Sequence, residues 1–171
     1  RDALQRVCKA YTAYDPETGY LQGLSFVVAP LLLHMPEEEA FVLLVRMMYG
    51  YSLREVFRST MYGLRKLFFQ LESLMESELP QLLSHFQAQG LTIEMFASQW
   101  FLSMYAAKFP VEFSFRIIDL FLVRGCTVLL SAALVLFRRH GAALLSRDFE
   151  GLLRELGTAI PNAYQSAEAV E

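Results

Sequence analysis

Apolar side chains recur at helical spacing along almost the whole chain. Leu4, Val7 and Tyr11 lie at positions i, i+3 and i+7, and comparable stripes continue as far as Leu156. Proline and glycine residues divide these stripes into segments of helical length. Strand-like alternation and Asn-Gly hairpin signals are missing. The sequence therefore predicts a compact all-α fold of roughly eight to ten helices, as a single domain over residues 1–171 without a β-sheet.

Local start and stop signals locate several of these helices. Pro36 followed by three glutamates predicts a helix start, because proline suits the first position and acids suit the first turn. That helix is expected to reach about Tyr49 and to end at Gly50. Ser52 and Glu55 have the spacing of a capping box, which predicts a short helix beginning there. Further helices are predicted around the apolar stripes 64–75, 82–86, 95–104, 113–121, 128–137 and 149–156.

Composition and residue spacing argue against several kinds of protein. The net charge is −3, so the basic surface expected of a nucleic-acid-binding domain is missing. The chain has no Gly-rich phosphate-binding loop, and its three histidines lack the spacing of a metal site. Cys8 and Cys126 lie in apolar stripes and are expected to be small core residues of a reduced, cytoplasmic protein. We therefore expect no metal and no cofactor of its own.

Two stretches are apolar enough to be compared with membrane spans. Residues 19–36 contain no charged Asp, Glu, Lys or Arg, but they include Gln22, Pro30 and His34. Residues 120–137 are interrupted by Arg124 and the glycine after it. The first stretch is interpreted as a buried core helix, and within the second only residues 128–137 are predicted to form one buried helix, so no transmembrane segment is expected.

The segment 15–26 combines a turn, a glutamine and a long apolar run. Asp15, Pro16 and Gly19 provide turn chemistry, and Gly23 allows another backbone or a ligand to approach closely. Gln22 is thereby presented at the mouth of an apolar helix. From the residues alone, its amide either caps neighbouring backbone groups or carries a function.

This segment resembles the Tyr-x-Gln-Gly motif of TBC domains, which are GTPase-activating domains for Rab proteins. Further landmarks follow in family order. They are Val7 to Tyr11 and Tyr14 to Pro16 before the motif, Met35 to Phe41 after it, then Trp100-Phe101-Leu102 with Phe109-Pro110, then Arg116-Ile117-Ile118-Asp119 and Leu122 to Gly125. The family commonly has tryptophan where Ile118 stands, an apolar exchange in an expected core position. Together these landmarks cover nearly the whole chain.

The resemblance implies a function and assigns roles. Gln22 would act on GTP bound to a Rab-family GTPase, while Tyr20, Leu21 and Gly23 would form the loop that contacts this partner. Tyr20 alone is also compatible with plain packing. GTP and Mg²⁺ would be carried by the partner. Any residence at endomembranes would come through that partner, since the domain has no anchor.

The arginine-bearing Ile-x-x-Asp-x-x-Arg motif of the family is missing from this sequence. The chain is therefore expected to be the larger, C-terminal part of a TBC domain, beginning after that motif. The alternative is a catalytically inactive Rab-binding scaffold or adaptor. An unrelated α-helical interaction domain is a third possibility. Arg116 and Asp119, spaced i, i+3, are expected to form a structural ion pair rather than a catalytic one.

Overall fold

The computed structural model describes residues 2–19 and 23–165, and these residues form helices joined by short turns. The helices are α1 (Asp2–Tyr14), α2 (Leu24–Leu32), α3 (Glu37–Val45), α4 (Arg54–Phe57), α5 (Tyr62–Glu78), α6 (Pro80–Ala88), α7 (Ile93–Leu102), α8 (Val111–Arg124), α9 (Thr127–Leu145), α10 (Phe149–Arg154) and α11 (Ile160–Asn162). Two π-helical turns, Arg46–Gly50 and Glu155–Ala159, extend α3 and α10. No strand occurs in the described ranges, and the all-α prediction is confirmed.

The helices form one core around a cluster of aromatic rings. Trp100 of α7 contacts Phe96, Tyr105, Phe109 and Phe137, with ring centroids 5.2 to 6.1 Å apart. All of these rings are buried. Edge-to-face and tilted contacts of this kind stabilise a core beyond the area that they bury. The cluster joins α7 to α9 and to the segment before α8.

By length and composition alone, one helix in the described part of the chain, α9, could cross a bilayer. A single helix of this kind is weak evidence for a membrane span. The buried side chains of α9 include Leu129, Ala133 and Phe137, and α9 packs against α5, α6 and α8. This packing is that of a core helix, as the sequence predicted for residues 128–137.

Two predicted helix starts differ from the structure. Pro36 has φ −60° and ψ 163° and precedes the first residue of α3, so it lies one position outside the helix. Ser52 has φ 59° and makes no capping hydrogen bond, and α4 begins at Arg54. An N-cap residue needs extended backbone, so the predicted capping box at Ser52 is wrong although a short helix follows it.

Candidate functional site

The turn after α1 is organised around a buried carboxylate. Asp15 is only 2% exposed, and its oxygens accept hydrogen bonds from the Tyr11 hydroxyl at 3.0 Å and the Thr18 hydroxyl at 2.5 Å. The Thr18 backbone N–H donates to the same carboxylate at 3.3 Å. The Gly19 N–H donates to the Asp15 carbonyl at 3.1 Å, and Gly19 has φ 68°. The predicted turn is therefore present, and Asp15 is its centre.

Arg54, the first residue of α4, binds this carboxylate through two guanidinium nitrogens, Nε and Nη2. Nε donates to Oδ2 of Asp15 at 2.7 Å, and Nη2 donates to Oδ1 at 2.8 Å. Nη2 also donates to Glu17 at 2.7 Å, and the guanidinium lies 5.3 Å from the centre of the Tyr49 ring. The Arg54 side chain is only 12% exposed. The pair is thus a sheltered, two-point contact of the strong charge-assisted kind.

The arginines around the turn lower the pKa of its two carboxylates, Asp15 and Glu17. Hydrogen bonding from Arg54 holds the pKa of Asp15 well below its usual range, and the hydroxyl and backbone donors of Thr18 and Tyr11 add to this effect. Glu17 has a lowered pKa because it accepts from Arg54 and from Arg58. The Asp15 carboxylate is therefore ionised at neutral pH and serves as the anchor of the turn.

On the other side of the motif, Gly23 precedes the first residue of α2. Its φ of 105° and ψ of −18° suit glycine, and its carbonyl accepts from the Phe26 N–H at 3.0 Å. A Cβ added there would lie 3.0 Å from the carbonyl oxygen of Leu102, the last residue of α7. The close approach that the sequence predicted for Gly23 is therefore made by the domain's own backbone.

Tyr20, Leu21 and Gln22 lie outside the described residues. Their roles in catalysis and in contact with a GTPase stay predictions. The structure describes the two flanks of this three-residue segment, the Asp15–Gly19 turn and Gly23.

Tyr14 and Tyr49 form a half-exposed aromatic surface beside the Asp15–Gly19 turn. Their rings meet edge to face at 6.1 Å, and Tyr14 meets the Phe41 ring at 5.8 Å. Tyrosines that expose one face in this way are common in protein interfaces. The Arg54 guanidinium connects this surface to the turn through its contact with Tyr49.

Arg116 and Asp119 border a groove of about 430 Å³ between α2 and α8, which also contains His34 packed on Phe115 with ring centroids 4.1 Å apart. Arg116 and Asp119 are both exposed, and they are not among the ion pairs of the described residues. The predicted pair is not formed in this structure. An exposed i, i+3 pair gains only a few tenths of a kcal/mol, so solvation of both charges competes with it.

Other candidate chemistry is sparse within residues 2–19 and 23–165. No group of three or more His, Cys, Asp or Glu side chains there is arranged to hold a metal ion. Cys8 and Cys126 are free, half-buried thiols whose pKa is raised by burial, which does not favour a reactive thiolate.

Sequence comparison places this fold and motif in a family. The family model described as RabGAP TBC domain matches residues 1–171. The chain belongs to the RabGAP TBC domain family. It is 42% identical over 97% of its length to the Rab GTPase-activating protein tbc-11 of Caenorhabditis elegans, and 38% identical over 96% to the human ecotropic viral integration site 5 protein homolog. It spans 18% and 20% of those two proteins.

Solved structures agree with this assignment. The Chlamydomonas flagellar RabGAP TBC domain is 27% identical and superposes with a TM-score of 0.81, covering 99% of this chain and 56% of that one. The Ypt/Rab-GAP domain of Gyp1p superposes with a TM-score of 0.85 at 17% identity, which is a likeness of fold. It covers 99% of this TBC chain and 61% of that chain.

Sequence reasoning missed Arg54, the main described side chain that fixes the turn to the rest of the TBC domain. Arg54 lies 39 positions after Asp15, in a short helix whose only sequence signal was the capping-box spacing of Ser52 and Glu55. An Asp-Pro turn indicates a local hydrogen-bonding role for the carboxylate, and no local pattern shows which distant cation will reach it.

Proposed function

We propose that this domain accelerates GTP hydrolysis by a Rab-family GTPase and contributes Gln22 to the reaction in trans. Membership of the RabGAP TBC family supports this proposal, as does the name of the similar worm protein, a Rab GTPase-activating protein. The observation that carries it is the anchoring of both flanks of the motif. On the flank that precedes the motif, Arg54 binds Asp15. On the flank that follows it, Gly23 lies close to the carbonyl of Leu102.

A fixed glutamine suits the chemistry of phosphoryl transfer. The reaction needs a water molecule in line with the γ-phosphate and little covalent help from the protein. The amide oxygen of Gln22 can accept a hydrogen bond from that water, while its NH₂ group can donate to a phosphate oxygen or to backbone. Positioning of this kind contributes to rate only when the group is held in place before the reaction.

The reaction also needs positive charge on the γ-phosphate and the leaving oxygen. Arg54 does not fit this role, because its Nε and Nη2 already donate to the carboxylates of Asp15 and Glu17. We propose that an arginine from a part of the protein outside these 171 residues provides that charge. GTP and Mg²⁺ belong to the partner GTPase.

The test is GTP hydrolysis by a panel of Rab proteins, stimulated by the full-length protein and by this 171-residue chain. Each is measured with and without Gln22→Ala, and binding to the GTP-loaded Rab is measured in parallel. Loss of one transition-state hydrogen bond should lower the stimulated rate by roughly 10²–10³-fold while binding is retained. Gln87→Ala, an exposed glutamine on α6, serves as the matched control and should have no effect.

Two results would contradict the proposal in different ways. Unchanged stimulation by the Gln22→Ala protein would exclude the role of Gln22. Binding of a Rab without acceleration by any version would favour the inactive scaffold or adaptor.

A further inference from the structure

Arg54 connects the turn before the motif to the body of the domain. We propose that Arg54 is a positioning residue for the segment Tyr20 to Gly23, acting through Asp15 and without contact with GTP. This inference rests on the proposed function and names a further residue on which the same site depends.

The contact is built to fix an orientation as well as a distance. A planar guanidinium that donates from two nitrogens to the two oxygens of one carboxylate restrains rotation, which a single hydrogen bond does not. Both partners are largely sheltered from water, at 2% exposure for Asp15 and 12% for Arg54, so the pair is weakly screened. The carboxylate also accepts hydrogen bonds from the Tyr11 hydroxyl on α1 and from the Thr18 hydroxyl within the turn.

Arg54 itself has a firm position. It begins α4, which packs closely on α5 where Gly63 has no side chain. Its guanidinium lies over the Tyr49 ring and also binds Glu17. The hydrogen bonds inside the turn keep its shape, and Arg54 fixes that shape relative to α4 and α5.

The opposite flank is fixed independently. Gly23 adopts φ 105° and lies against the Leu102 carbonyl at the end of α7. Only three residues separate Gly19 from Gly23. A displacement of the turn must therefore be absorbed within this short segment, which contains Gln22. Misplacement of a catalytic group by about 1 Å can cost about 10²-fold in rate.

The first test is a double-mutant cycle in the full-length protein. Arg54→Gln should lower kcat of stimulated GTP hydrolysis by about 10- to 100-fold and leave KM for the GTP-loaded Rab nearly unchanged. In the Gln22→Ala background, Arg54→Gln should cause no further loss of kcat, because the group that it positions is gone. Losses that multiply in the double variant would overturn the proposal, as would an effect of Arg54→Gln on KM alone.

Arg54→Lys provides a second variant in case Arg54→Gln folds poorly. An ammonium group keeps the charge but cannot make the two-point contact, so its kcat should lie between those of the wild type and Arg54→Gln. Full activity of Arg54→Lys would show that charge alone matters and would overturn the orienting role.

The second test does not depend on GTPase activation. Amide hydrogen exchange of a peptide spanning residues 17–24 is measured in the free domain, for the wild type and for Arg54→Gln. Exchange should become faster in Arg54→Gln, while Arg147→Gln, which breaks an ion pair with Glu155 elsewhere in the domain, should leave it unchanged. Unchanged exchange in Arg54→Gln would overturn the proposal.

The two tests separate the two proposals. Faster exchange together with no acceleration by the wild type would exclude the proposed GTPase activation and retain the positioning role of Arg54. Acceleration by the wild type, together with unaltered exchange and unaltered kcat in Arg54→Gln, would retain the proposed GTPase activation and exclude the positioning role of Arg54.

Discussion

Gly63 and Glu55 bring two helices into backbone contact. A Cβ at Gly63 would lie 2.4 Å from the Glu55 carbonyl oxygen, so α4 and α5 could not keep their present separation with any other residue there. Since α4 carries Arg54, this contact supports the position of the side chain that holds the Asp15–Gly19 turn.

We expect Gly63→Ala to lower the free energy of unfolding by about 3 kcal/mol or more, because the obstructing atoms are backbone and cannot rotate away. Urea denaturation measures this change. The control is Gly141→Ala within α9, where an added Cβ meets nothing within 4 Å. That substitution should stabilise the domain by about 0.5–1 kcal/mol. Equal stability of the wild type and Gly63→Ala would contradict the close contact.

Gly23→Ala should destabilise the domain by about 1–3 kcal/mol, because φ 105° is strained for alanine and its Cβ would press on the Leu102 carbonyl. Stimulated GTP hydrolysis should fall as well, since the start of α2 would shift next to Gln22. Thermal unfolding and a GTPase assay at a temperature where the variant is folded measure the two effects. Gly157→Ala, which has open space around its Cβ, should leave hydrolysis unchanged and should not destabilise the domain. Normal hydrolysis by a folded Gly23→Ala protein would show that the proposed role of Gln22 tolerates movement of this flank.

The stability of the domain should fall in acid through Asp15. Its pKa is depressed in the folded state, chiefly by Arg54, so its contribution is present above the unfolded pKa of about 3.9 and is lost as the pH falls towards the lower folded value. Asp15→Asn should cost about 3 kcal/mol at pH 7, because it leaves the sheltered Arg54 without its carboxylate. The difference between the two proteins should shrink below about pH 4.

Denaturation by urea at pH 7 and at pH 3 measures this dependence. Glu72→Gln, at an exposed position on α5, is the matched control, and the pH dependence of this variant should follow that of the wild type. A constant difference between the wild type and Asp15→Asn at both pH values would exclude Asp15 as the titrating group.

Two phenylalanines test the aromatic core. Phe137 is fully buried against Phe86, Phe96 and Trp100, whereas Phe69 on α5 is 70% exposed. Phe137→Ala should cost about 3–5 kcal/mol through the cavity that it leaves. Phe69→Ala should stay within about 0.5 kcal/mol of the wild type. Calorimetric unfolding of both variants checks the contrast, and similar costs for the two would be incompatible with this core.

The sequence predicted the helices well where one strong signal determines them. The apolar stripes of α5 and α8 lie where expected, because burial of one helical face is visible in the spacing of Leu64, Leu67, Phe113 and Ile117. The details at helix ends were less predictable. Ser52 has the residue type of a cap, but its backbone adopts φ 59°, and α4 begins two residues later, at Arg54.

The candidate site divides in a similar way. The turn chemistry of Asp15, the freedom of Gly23 and the family motif could all be identified locally. The partnership of Asp15 with Arg54 and that of Gly23 with Leu102 could not, because each joins segments that are far apart in the chain. The predicted pair of Arg116 with Asp119 failed for the opposite reason: spacing allowed it, but an exposed pair gains little from closing.

The distance along the chain between Asp15 and Arg54 also bears on how the motif can be used in isolation. A synthetic peptide copying residues 11–25 would contain the carboxylate, the turn and the glutamine, but not the guanidinium, which lies 39 positions further on. Such a peptide should neither stimulate hydrolysis nor compete with the domain. During synthesis, likewise, the Asp15–Gly19 turn can be fixed by Arg54 only after α4 has left the ribosome.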